Sequence, residues 1–180
     1  MKKFILGMLS LSGVMFSASS FASSGIKAGV EIDAVPYFLG GYYASVGASV
    51  DHWQLRYVTT EFETPDFYLQ DGFKDNKVDV NAVILDYFLN EDLRGWWIGV
   101  GVENWQGKVK DSSSDIEKSY DTNLVTVGGG YTFYLTEHLY LNPWVGVHVP
   151  VSGDDKVNFS DRSFDVKTTG EVSVKVGYKF

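Results

Sequence analysis

From Phe164 to Phe180 the chain alternates without a fault. Phe164, Val166, Thr168, Gly170, Val172, Val174, Val176, Tyr178 and Phe180 fall on one parity. Ser163, Asp165, Lys167, Thr169, Glu171, Ser173, Lys175, Gly177 and Lys179 fall on the other. A repeat of two is the mark of a strand with unlike faces. Soluble strands are usually about 5–6 residues long, whereas a strand crossing a bilayer needs about 9–11 residues in the hydrocarbon. This segment reads as a membrane-spanning strand with its greasy face outward.

Seven further alternating segments precede it. They cover about 26–35, 42–50, 53–62, 77–89, 94–107, 120–134 and 139–149. The outward residues predicted for the first three are Ile26, Ala28, Val30, Ile32 and Ala34; Tyr42, Ala44, Val46, Ala48 and Val50; and Trp53, Leu55 and Tyr57. In the fourth, Val78, Val80, Ala82 and Ile84 are expected outward and Asp79 and Asn81 inward. In the remaining three, Trp96, Ile98, Val100 and Val102, then Val125, Val127, Tyr131 and Phe133, then Leu139, Leu141, Val145, Val147 and Val149 face out. The connections 51–52, 90–93 and 135–138 are short and share one side. The connections 63–76, 108–119 and 150–162 are longer, polar and share the other, while 36–41 is a short loop on that same side. An even strand number with short turns at one end and long loops at the other is the pattern of a transmembrane β-barrel. The expected fold class is therefore all-β, an eight-stranded antiparallel transmembrane β-barrel. Two residues strain the register. Asp86 falls on the lipid parity of its strand, and Pro143 lacks a donor in a sheet that has no edge, so a bulge is expected there.

The amino-terminus adds an export signal. Met1-Lys2-Lys3 is basic, Phe4 to Phe16 is apolar, and Ser20-Phe21-Ala22 supplies small residues before a cut after Ala22. Residues 1–22 are thus expected to be a cleaved signal peptide and 23–180 the barrel. The net charge of −8 becomes −10 once Lys2 and Lys3 are gone, a poor basis for holding phosphates, so no nucleic-acid partner is expected. The chain has no Cys, which excludes thiol chemistry. Aromatics make up 16% of the chain, enough to build the interfacial belts a barrel needs. Trp53, Tyr57, Trp96, Trp97, Tyr131, Phe133, Tyr140 and Trp144 are expected in such a belt.

An interior of this size holds side chains or one small ligand. The inward charges Lys27, Glu31, Asp33, Arg56, Asp79, Glu103, Lys167, Glu171 and Lys175 are expected to pair in a lumen network, because a buried lone charge is costly. His148 also points inward, near the outer rim. With Ser163 and Asp165 it forms the one arrangement that suggests nucleophilic chemistry, although no spacing demands it. Phe67-Tyr68-Leu69 stands out as an aromatic run inside a polar loop and is a candidate contact surface. No cofactor and no metal site is expected.

The Ser20-Phe21-Ala22 site, the eight segments and the terminal Val174, Val176, Tyr178 and Phe180 together resemble the small eight-stranded bacterial outer-membrane barrels. That resemblance implies an outer-membrane address in contact with lipid and lipopolysaccharide. It implies that Val176, Tyr178 and Phe180 serve as a signal to the barrel-assembly machinery. Proteins of this broad group include tethers, adhesion and serum-resistance proteins, and lipid-modifying enzymes, and no catalytic motif of theirs carries over. With nothing following Phe180, no peptidoglycan-binding domain is expected. The favoured reading is a non-enzymatic surface barrel that supports envelope integrity or meets partners through 63–76, 108–119 and 150–162. The alternatives are an outer-leaflet hydrolase or acyltransferase using His148 with a loop serine, and a narrow channel for small or hydrophobic solutes.

Overall fold

Each short turn returns the chain antiparallel to the strand it has just left. Asp51, at φ 49°, takes the left-handed conformation that a two-residue hairpin requires. The computed structural model describes residues 25–180, and the expected signal peptide lies outside them. The elements are β1 (Lys27–Asp33), α1 (Ala34–Phe38), β2 (Tyr42–Val50), β3 (Trp53–Thr64), β4 (Phe73–Phe88), β5 (Gly95–Asp111), β6 (Glu117–Tyr134), β7 (Leu139–Gly153), β8 (Lys156–Asn158), β9 (Ser163–Asp165) and β10 (Thr169–Lys179), with a 3-10 turn at Asp66–Tyr68. Eight strands close in the order β1-β10-β7-β6-β5-β4-β3-β2. The strands β8 and β9 form a separate hairpin. Closure pairs the backbone polar groups along each ladder and leaves the ring without an edge strand.

Parity places the apolar belt outside as expected on β2, β3, β5, β6, β7 and β10. Leu55, Ile98, Val100, Val102, Val127, Val145, Val147, Val172 and Val174 are all exposed. Below the belt, Trp53 packs on Tyr87, Trp96 on Tyr131, and Tyr178 on Phe180. Trp97 and Tyr140 do not join this girdle. Both are buried inside the ring, and Trp144 turns inward with them. Glycines make room for these rings, since a Cβ on Gly146 would press on the Trp144 indole and one on Gly177 would meet the Tyr140 phenol.

Four expectations need correction. In β4 the phase is inverted. Val78, Val80, Ala82 and Ile84 are buried in the lumen, while Val83 and Leu85 face out. Asp79 and Asn81 are exposed on the outer face, so Asp79 is not part of the lumen network. The strand is apolar on both faces, and alternation alone did not select the inner one. The same inversion places Asp86 inside, 1% exposed, with no bulge beside it. Pro143 carries no bulge either. The β6–β7 register is the same on both sides of it, from Gly130–Trp144 to Phe133–Leu141, and the irregularity falls beyond Pro150, between Asn123 and Leu124 of the partner strand. The alternation from Phe164 to Phe180 is not one strand. It breaks at 166–168, and Phe164 turns inward in the β8–β9 hairpin.

The short loop 36–41 is largely helix. Asp33 caps α1 by accepting from the Val35 amide at 3.0 Å. Pro36 sits in the first turn, where no amide donor is needed. The helix then stops at Gly40, whose φ of 74° ends it cheaply. Consequently β1 is short, and its ladder with β10 ends at Asp33–Lys175.

Candidate functional site

The lower lumen is a polar plug built from facing strands. Arg56 on β3 donates to Asp86 on β4 through Nε at 2.5 Å and Nη2 at 3.0 Å, and to Glu31 on β1 at 3.1 Å. Glu31 also accepts from the Tyr140 hydroxyl at 3.0 Å and from Asn142 and Ser45 at 3.3 Å. Asn142 in turn accepts from the Trp97 indole at 2.8 Å. Such a bidentate guanidinium satisfies two carboxylates at once. Removing one partner of a buried pair like this costs about 3–5 kcal/mol, because the other charge is left bare.

Asp33 forms a second node. It accepts from the Trp144 indole at 3.0 Å, from the Ser173 hydroxyl and from the Val35 amide. One carboxylate therefore joins β7, β10 and the start of α1. Lys175 is its register partner and is 1% exposed. The Lys175 ammonium lies 4.0 Å from the centre of the Trp144 ring. Among the described residues it makes no hydrogen bond or ion pair.

Higher up, His148 faces acids on both sides. Its Nδ1 lies 3.0 Å from Glu103 Oε2 and 3.0 Å from the Thr126 hydroxyl, and its Nε2 lies 3.5 Å from Glu171 Oε2. Glu103 also accepts from the Trp105 indole at 2.7 Å. A nucleophile–base–acid relay needs the hydroxyl on one ring nitrogen and the acid on the other. Here the hydroxyl on Nδ1 belongs to Thr126, which donates to the Val147 carbonyl at 3.2 Å and shares that nitrogen with Glu103, while Glu171 stands off Nε2. Ser163 sits in β9, in the cap, and Asp165 accepts through its backbone carbonyl from Gln70 at 2.7 Å.

Of the expected lumen charges, Glu31, Arg56, Asp33 and Lys175 gather below, and Glu103 and Glu171 gather about His148. Lys27 is exposed at the near end of β1, and Lys167 is exposed where the chain enters β10. Neither forms an ion pair among the described residues. The sequence reading missed Asp86, Tyr43, Asn142 and the two indoles Trp97 and Trp144 as lumen members. The signal that could have found Asp86 was the need of inward Arg56 for an acid one strand away.

Between plug and rim lies a cavity of about 900 Å³. Tyr43, Val58, Ala82 and Ile84 form one apolar wall, and Val78, Val80, Trp105 and Leu124 continue it upward. The inverted β4 supplies much of this surface. Above, Phe73, Val109, Tyr120, Val157 and Phe164 form a separate core, with Leu69, Phe159 and Val166 packed against it. The β8–β9 hairpin thus roofs the mouth. Beyond the apolar belt, Asp111 fastens this cap. It accepts from the Ser113 hydroxyl at 2.6 Å and the Ser114 amide at 2.8 Å, and pairs with Arg162 at 3.3 Å. The Ser113 hydroxyl and then the Ser114 amide hold its carboxyl well below the usual range. Leu69 belongs to the cap, while Phe67 and Tyr68 stand 81% and 76% exposed, ring against ring at 4.5 Å. Tyr178 and Phe180 face outward at the opposite end, with Val176 half-buried on the same parity.

No family model matches the chain. No curated protein matches it either. Solved structures do. The neisserial surface protein A is 14% identical, with a TM-score of 0.53 over 86% of this chain and 96% of that one. The amino-terminal β-barrel domain of Pseudomonas aeruginosa OprF is also 14% identical, with a TM-score of 0.52 over 86% and 96%. A major outer-membrane protein of Thermus thermophilus is 16% identical, with a TM-score of 0.52 over 86% and 99%. At this identity the likeness concerns the backbone alone. The chain has the fold of the small eight-stranded outer-membrane barrels.

Proposed function

We propose that this protein is a non-enzymatic barrel of the bacterial outer membrane that holds a folded cap at the cell surface. The observation that carries this reading is the division of labour along its axis. An apolar belt rings the middle, a paired charge plug fills the lower lumen, and the outer connections fold over the mouth about their own apolar core. The bulk of the sequence beyond the belt goes into that cap. Phe67 and Tyr68 project from it as an exposed aromatic pair of the kind that anchors an interface. The backbone likeness to a neisserial surface protein supports the same address. The non-enzymatic part of the reading is supported by the Thr126 hydroxyl beside His148 being spent on the Val147 carbonyl, and by Ser163 lying in the β8–β9 hairpin.

Membrane lipid and lipopolysaccharide surround the belt and rim in this reading. Val176, Tyr178 and Phe180 engage the barrel-assembly machinery during biogenesis. Surface partners meet the connections 63–76, 108–119 and 150–162. The test combines fractionation with surface labelling of intact cells. The protein is expected in the outer-membrane fraction, migrating differently before and after boiling, with Lys118 and Lys156 labelled from outside. Recovery as a soluble protein, or labelling only after lysis, would overturn the surface reading. Labelled lipopolysaccharide released by the purified barrel but not by His148→Ala would overturn the non-enzymatic one.

A further inference from the structure

The ring is not closed to the same height all round. Above Asp33–Lys175, β10 has a strand partner only on its β7 side, where Thr169–Val174 pair with Pro143–His148. On its other side stands α1, which spends its carbonyls on its own turn and on the Gly41 amide. The β10 backbone groups that point toward α1 therefore have no ladder. This happens within the apolar belt, because Val172 and Val174 lie in register with Val145 and Pro143 and are exposed like Val145 and Val147. At membrane depth, irregular backbone is tolerated only where protein buries it or where it lines a cavity. The cavity does reach this place, since Val172 of the outer wall, Val35 and Pro36 of α1, and Leu39 just after it all line it. The unladdered seam between α1 and β10 is thus a lateral rift in the hydrogen bonding of the wall, with the lumen cavity directly behind it. Phe38 of α1 is 87% exposed, while Tyr37 reaches the other way and donates to the Tyr43 carbonyl on β2 at 3.3 Å.

The chamber behind the rift has one apolar wall and a charged floor on which Arg56 and Lys175 face the cavity. Val58, Ala82 and Ile84 line the wall, and Lys175 is on the floor. At about 900 Å³ it lies within the roughly 300–1,000 Å³ of small-molecule sites. The floor carboxylates Glu31 and Asp86 are engaged by Arg56, and Asp33 by three donors. Lys175 alone among these faces the cavity with no acceptor, held only against indole and phenol rings. A buried ammonium without an acceptor is costly, and an anionic oxygen delivered by a ligand relieves that cost.

We propose that this chamber binds a single-chain monocarboxylate, a free long-chain fatty acid, admitted from the outer leaflet through the α1–β10 rift. The carboxylate pairs with Lys175, and the chain lies along Val58, Ala82 and Ile84. The inference presupposes a bilayer-embedded barrel but not the surface-contact role of the cap. It is tested on the full-length purified barrel in a non-ionic detergent, with displacement of a fluorescent fatty acid as the readout. Palmitate is expected to displace the probe, and hexadecanol and hexadecylamine to compete about tenfold less well, the difference that one charge-assisted hydrogen bond makes. Lys175→Met is expected to erase the preference of palmitate over hexadecanol. Ala82→Phe is expected to lower binding of all three by filling the wall. Folding of each variant is checked by its shift on boiling. Should Lys175→Met not fold, the palmitate–hexadecanol comparison on the wild-type barrel decides the head-group assignment alone. Equal competition by acid, alcohol and amine overturns the Lys175 assignment. No displacement from a barrel that still shows the boiling shift overturns the proposal while leaving the outer-membrane reading intact. Lysophospholipid competing better than palmitate would show a membrane lipid, not a free acid, to be the occupant, and would also overturn it.

Discussion

Two parts of the same wall are built to different standards. Along β5 and β6 the ladder runs unbroken through 16 paired positions, from Gly95–Thr132 to Lys110–Glu117. Between β1 and β10 it has five, from Gly29–Lys179 to Asp33–Lys175. The first is a sheet that stands well clear of the belt and carries the cap. The second is a low seam, continued upward by a helix held by the Asp33 carboxylate and by the Tyr37 hydroxyl on the Tyr43 carbonyl. A closed ring order therefore says nothing about how evenly the ring is closed. Where the ladder stops, the fold turns to a helix, which satisfies its own backbone and needs no neighbouring strand.

The largest effect is expected where both parts stand on common ground. Arg56→Met leaves Glu31 and Asp86 buried without their cation and should cost about 3–5 kcal/mol in urea unfolding from detergent. A loss below about 1 kcal/mol would mean that water reaches the plug and that the two walls do not share a rigid base. Next comes the seam itself. Asp33→Ala removes a helix cap and two side-chain hydrogen bonds and should cost about 2–3 kcal/mol. Amide exchange should quicken at 169–174 and stay slow at 98–104. Uniform acceleration would show that seam and tall wall open as one unit.

A matched pair of glycines sharpens the contrast at smaller scale. On Gly101 in the tall wall a Cβ would lie 2.6 Å from the Val83 carbonyl oxygen, whereas on Gly170 beside the rift the nearest neighbour is the Gly146 oxygen at 3.8 Å. Gly101→Ala should cost about 1–3 kcal/mol and Gly170→Ala under about 0.5 kcal/mol. The smallest effect is on the cap alone. The Asp111 carboxyl is held below its ordinary range, so the unfolded chain takes up its proton first as pH falls. Its contribution is complete above about pH 4 and drains away only as pH drops through the folded value. Loop resonances of 112–116 should hence persist at pH 4 in the wild type and weaken there in Ser113→Ala, whose Asp111 has lost its hydroxyl donor. Identical acid profiles would remove Asp111 from the fastening of the cap.

How much of this was legible in the sequence depended on whether the two faces of a strand differ. In β5, Trp96, Ile98, Val100 and Val102 alternate with glycines and Glu103, and the outward face was readable. In β4, Val83 and Leu85 compete with Val80, Ala82 and Ile84, and a period of two cannot rank two greasy faces. Only the pairing of Arg56 with Asp86 breaks the tie, and that is a relation between strands. The terminal segment failed differently. Its alternation from Phe164 onward is real, but side-chain parity does not require a hydrogen-bonded neighbour, and the chain leaves the ring at 166–168 with its pattern intact. Residues 34–38 carried an apolar stretch and a proline, which a strand-by-strand reading divides between the end of a strand and a short loop. The site was legible as a set of inward charges and not as a partition of them. Trp144 and Trp97, which hold Asp33 and Asn142, read as lipid anchors because an indole serves either place.

The five-position ladder joins the two strands most distant along the chain. Bringing them together costs loop-closure entropy that the hairpins β4–β5 and β5–β6 never meet, and few bonds reward it. Those hairpins are accordingly expected to form early, and the β1–β10 junction to zip last and to be the first to part under force or heat. The rate of barrel formation should then be governed by Gly29–Asp33, a stretch of pairing as short as any in the ring and the one that joins its two ends.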